Sequence, residues 1–170
     1  MPVIPLAVML TAGWACASDL RTRRIPNALT FGAALAALVF HVATGGVAGG
    51  VNSLGGWLVG AALLFAPFAL GGMGAGDVKL LGALGAWLGP GDAVWLALYT
   101  GMAGGLMALA VALVRGYLGQ ACRNIWMLLA YWRLAGIRPL AELTLDTSKG
   151  PRLAYAVPIL AGTLVTLWLR

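Results

Sequence analysis

Two carboxylates in an otherwise apolar chain carry the chemistry this sequence offers. Asp77 follows the run Gly71-Gly72-Met73-Gly74-Ala75-Gly76 and opens an apolar stretch to Leu88, while Asp19 closes the apolar run Val3 to Ser18. Ionisable groups at membrane depth are costly and are kept where they serve a function or find a partner. Two acids held within a few ångströms cannot both ionise easily, so one keeps a proton while the other acts as base on a water. That division of labour hydrolyses peptide bonds. Each acid also has a plainer use. Asp77 can cap the helix it begins and meet the positive end of its dipole, and Asp19 can sit at the water interface near Arg23. With only five acidic residues in the chain, two that reach the same side favour function, and capping does not exclude catalysis.

The elements that must position these acids follow from composition. The 170 residues are 61% hydrophobic and 9% charged, with a mean hydropathy of +0.92, which leaves too little polar surface to cover a soluble globule. The expectation is an all-α integral membrane protein, residues 1–170 forming a single polytopic domain. Apolar runs at Val3 to Ser18, Ala28 to Thr44, Leu54 to Leu70, Val78 to Leu88, Ala93 to Val114 and Leu153 to Leu169 predict about six crossings, since a spanning helix needs roughly 20 apolar residues. The first run lacks the basic segment of a secretory signal.

The net charge of +6 is distributed unevenly. Arg21, Arg23 and Arg24 follow the first run, and Arg115, Arg123, Arg133, Arg138, Lys149 and Arg152 lie between the fifth and sixth, whereas Gly45 to Ser53 and Gly89 to Asp92 hold no cation. The positive-inside rule then makes the Arg-rich segments cytoplasmic and both termini external, with Arg170 as the one discordant cation. Asp19 and Asp77 fall at the same cytoplasmic depth. Asp92 is placed outside, and Glu142 and Asp146 in the polar stretch before the last helix.

The glycines before Asp77 predict a backbone free to take positive φ and open to an extended chain. Such irregular backbone at membrane depth must be buried in protein or line a wet cavity. The fourth run is short, which leaves two readings: a helix continuing irregularly past Pro90, or a site recessed below the membrane surface. Pro26 suits the first turn of the second helix, and Asn27 can bond nearby backbone. Lys79 is expected on a different helix face from Asp77, either snorkelling or holding substrate. Arg21, Arg23 and Arg24 attract anionic lipid head groups and can meet an acidic substrate residue. Ile125 to Leu134 mixes aromatics with flanking Arg123 and Arg133, and is too short to span, so an interfacial amphipathic segment is expected between helices five and six. Gly101, Gly104 and Gly105 read as helix-packing residues. Cys16 and Cys122 cannot form a disulfide framework or a four-thiolate zinc site, and no metal, cofactor or nucleic-acid partner is called for. His41 is expected near the external face.

Asp19-Leu20-Arg21-Thr22-Arg23-Arg24-Ile25-Pro26-Asn27 together with Gly74-Ala75-Gly76-Asp77-Val78-Lys79-Leu80 resembles the two signatures of the type IV prepilin peptidases. Ala154-Tyr155-Ala156-Val157-Pro158 with Gly162 is similar to the pattern that ends them, with departures at Ala154 and Pro158. The resemblance implies a membrane aspartyl endopeptidase with Asp19 and Asp77 as catalytic pair. Gly74, Gly76, Lys79, Arg21, Arg23, Arg24, Pro26 and Asn27 would bind substrate or shape the site. It would cleave the basic leader of prepilins at the cytoplasmic face of the bacterial inner membrane, in contact with lipid, for pilus or secretion-system assembly. The span Arg21 to Asn27 is too short for the cytoplasmic domain of the bifunctional members, so the compact form resembles the Flp or tight-adherence type without methyltransferase activity. A small helical transporter or membrane scaffold, using Asp19 and Asp77 as ion-relay groups, is the alternative. A presenilin-like protease shares Gly-x-Gly-Asp but pairs it with Tyr-Asp, and here Ser18 precedes Asp19.

Overall fold

The computed structural model describes residues 2–136 and 153–170. Within them lie six helices and no strand: α1 (Val3–Thr22), α2 (Asn27–Ala69), α3 (Ala75–Leu88), α4 (Pro90–Val114), α5 (Leu118–Ala135) and α6 (Ala156–Leu169). α1, α2 and α4 are each long and apolar enough to cross a membrane, and α6 is a shorter apolar helix. Large apolar side chains such as Leu10, Trp14, Val39, Met102 and Leu106 point outward, as a bundle solvated by lipid tails allows. The expected all-helical membrane architecture is present.

α2 departs from the expected pair of helices joined by a loop over Gly45 to Ser53. The chain stays helical there except at Gly46, where φ 58° and ψ −149° split α2 into arms of residues 27–45 and 47–69. That conformation is essentially reserved for glycine. The arms fold back on each other: a Cβ on Gly49 would overlap the His41 carbonyl, and one on Gly50 would lie 2.8 Å from Val42 Cγ2. Glycines that read as loop composition are therefore close-packing positions. At about 1.5 Å per residue the arms run about 28 and 34 Å, each comparable with a hydrocarbon core of about 30 Å.

α3 is the buried centre, with every residue from Leu80 to Trp87 buried, and α2 makes the most extensive contact with it. The approach is close because glycines face it: a Cβ on Gly56 would overlap the Gly85 carbonyl, and one on Gly60 would lie 2.6 Å from Leu81 O. α3 does not continue past Pro90. Gly89 turns the chain at φ 84°, and Pro90 begins α4 at the first helical position, where its missing N–H is no loss.

α4 then packs against α6, with Gly162 on Thr100 and Gly104 on the Tyr155 ring. From Gly105 to Val114 α4 runs on about 15 Å beyond that level. The amino ends of α3 and α6 thus lie short of the end of α4. α5 packs lightly on α4, and Trp126 and Leu134 are exposed. Arg138, Glu142, Asp146, Lys149 and Arg152 fall outside the described residues.

Candidate active site

Asp19 lies in the last full turn of α1, which closes at Arg23 in the left-handed conformation, φ 56° and ψ 31°. The Arg23 N–H donates to Asp19 O at 2.9 Å. Hydroxyls fasten the connection that follows: Ser18 Oγ donates to the Arg24 carbonyl at 2.9 Å and Thr22 Oγ1 at 3.3 Å. Pro26 stands just before α2 as its extended cap residue, φ −62° and ψ 133°, one position earlier than expected. This tight link sets Arg23, Arg24, Ile25 and Asn27 around the mouth of a pocket.

Asp77 is the third residue of α3. Its Oδ2 accepts from Gly74 N–H at 3.2 Å, while its own N–H donates to Gly74 O at 3.2 Å. Gly74 itself has no side chain to cap with, so the carboxylate does the capping. The plainer use of Asp77 is therefore real, and the residue still faces the pocket.

The two acids meet. Asp19 and Asp77, each 8% exposed, line one cavity of about 280 Å³ together with Arg23, Arg24, Asn27, Gly74, Gly76 and Lys79. They lie within electrostatic reach of each other, and Tyr155 lies within reach of Asp77. Asp19 Oδ2 accepts the Ala156 N–H at 3.3 Å, so the amino end of α6 holds it, with the helix dipole favouring negative charge there. An acid pair with one member on a helix cap and the other on a helix amino end can share a proton and polarise a water between them.

Several expectations need correction. Lys79 does not merely snorkel: its Nζ donates to Asn27 Oδ1 at 3.0 Å and stands 5.4 Å from the Phe31 ring centroid. Asn27 accordingly receives the Lys79 side chain. Of the glycines before Asp77, only Gly71 has positive φ. Gly74 is extended and Gly76 is helical. Their lack of a side chain matters through space: a Cβ on Gly74 would lie 3.3 Å from Asp77 Oδ2, and one on Gly76 3.2 Å from Ile25 Cβ. Arg21 and Pro26 do not line the cavity, whereas Ile25 and Ala75 do. The segment Ala154 to Pro158 stood out in the sequence, but nothing in it signalled that the Ala156 N–H would hold Asp19.

Fold and site together define a polytopic helical membrane protein with a buried acid pair at one end of its bundle. The profile of the type IV leader peptidase family matches residues 6–109, a span that contains both acids and ends before α5. The chain belongs to that family, which makes it a peptidase with a prepilin-type substrate. No curated protein and no solved structure matches it.

Proposed function

We propose that the chain is a membrane-embedded aspartyl endopeptidase that removes the basic leader of Flp-like type IV prepilins at the cytoplasmic face of the bacterial inner membrane. The convergence of Asp19 and Asp77 from α1 and α3 on one cavity carries this reading. In the reaction one carboxylate takes a proton from water as the water attacks the scissile carbonyl carbon, and the protonated partner donates to the carbonyl oxygen. Collapse of the resulting diol breaks the C–N bond, and the leaving amine takes a proton from the pair. Lys79, Arg23 and Arg24 at the mouth favour an acidic residue of the substrate nearby, and α5 lies along the membrane interface. The unevenly placed cations support a cytoplasmic site. The small connection from Arg23 to Pro26 supports proteolysis without methyl transfer.

Co-expression with a candidate Flp-like prepilin tests the reading: a faster-migrating mature product is expected with the intact chain and absent with Asp77→Asn at equal membrane abundance. Equal processing by both would remove the acid pair from the chemistry.

A further inference from the structure

The two arms of α2, packed together near Gly46, part towards the acid pocket and leave a second cavity of about 280 Å³ between them. Phe31 and Leu35 of the first arm, Ser53, Leu54 and Trp57 of the second, and Ala86 of α3 line it. It opens to the outside of the bundle, because Phe31, Leu35 and Leu54 are 52%, 62% and 49% exposed. It also adjoins the acid pocket. Phe31 forms its near end and lies under Lys79, which with Asn27 lines the acid cavity. One polar group interrupts the wall: Ser53, 1% exposed, has an Oγ with no hydrogen-bond partner.

We propose that the substrate chain beyond the scissile bond carries an apolar stretch and that this groove receives it, so that the bond lies between the acids and the downstream chain runs along α2. This rests on the reading of Asp19 and Asp77 as the hydrolytic pair. A chain cut in the acid pocket must continue somewhere, and of the two cavities one carries cations at its mouth and the other carries no ionisable side chain. A charged segment entering the second would lose its hydration without a partner. An apolar helix would gain packing contacts there, and in lipid such contacts and interhelical hydrogen bonds, rather than the hydrophobic effect, drive helix association. Between Phe31 and Leu38 the wall runs about 10 Å, room for about two helical turns.

A photoreactive side chain placed at Leu35 or Leu54 in an Asp77→Asn chain should cross-link a full-length prepilin within its apolar stretch, whereas the same probe at exposed Leu106 on α4 should not. Adducts to lipid alone, adducts to the leader, or equal capture at Leu106 would each overturn the proposal. In the active chain, Ala34→Trp should raise KM for the full-length substrate about tenfold, since filling a packed space typically costs that much binding. Cleavage of a short peptide spanning the bond but lacking the apolar stretch should stay within about twofold of the parent. Equal loss on both substrates, or on neither, contradicts the groove. Should the unmodified chain cleave neither substrate, the acid-pair reading fails, while the cross-links still decide where the apolar stretch docks.

Discussion

The two ends of the bundle use the same residue types in opposite ways. At one end Asp92 is half-buried and takes its partner from a side chain, the Arg170 guanidinium at 3.0 Å, which also lies 5.2 Å from Trp95. At the other end Asp19 and Asp77 are buried and accept backbone N–H groups from Ala156 and Gly74. Glycines divide similarly. Gly56 and Gly85 bring α2 and α3 into backbone contact towards the Asp92 end, while Gly74 and Gly76 clear space beside Asp77 and Ile25. The bundle is clamped at one end and kept open at the other, so that strong packing far from the acids fixes helices whose amino ends hold them.

The largest expected effect separates the acids. Asp19→Asn or Asp77→Asn should lower prepilin turnover roughly 100-fold or more, the usual scale for removing a general acid or base, with membrane abundance unchanged. Asp92→Asn should leave turnover within about twofold, because an exposed ion pair contributes at most about 1 kcal/mol. Immunoblot ratios of precursor to mature protein check both.

Next come the glycines. Gly85→Val has no space against Gly56 and should cost about 2 kcal/mol or more, so abundance and activity fall together. Gly76→Val presses on Ile25 at the pocket and should cost about tenfold in cleavage while abundance holds, since a displacement of about 1 Å can cost roughly 100-fold. If both variants lose abundance alike, the contrast between clamped and open ends collapses. Smaller still is Lys79→Met, which breaks the link to Asn27 and should reduce cleavage by about threefold to tenfold, on the scale of a typical solvent-accessible hydrogen bond of about 1 kcal/mol. Its expected signature is a raised KM. Single-cysteine labelling in a background lacking Cys16 and Cys122 sharpens the orientation: Thr22 should label from the cytoplasm and Asn52 from outside, and labelling of both from one side would break it.

Much of this was legible in the chain. The acids stand out because little else in an apolar sequence is ionisable, and the glycine run before Asp77 marks irregular backbone by composition alone. The apolar runs marked where the apolar helices lie, although the second and third form one kinked helix, α2, and α5 arises from the segment between the fifth and sixth runs. What stayed hidden depends on packing across distance. The Lys79 to Asn27 bond joins residues 52 apart and the Ala156 to Asp19 bond residues 137 apart, and no local period encodes either. Gly45, Gly46, Gly49 and Gly50 look alike in sequence, yet only Gly46 breaks the helix. The others could be told apart only once the two arms of α2 were seen to touch. Arg170 looked discordant as a cation outside until Asp92 supplied its partner.

The central claim is that Asp19 and Asp77 act as one unit, and the double variant tests it most directly. Turnover of the same prepilin by Asp19→Asn, Asp77→Asn and the combined variant, at matched membrane abundance, should fall to one common background, because residues that share a proton are not additive. Near-normal turnover in either single variant, or a double variant whose loss equals the product of two partial losses, would contradict the account.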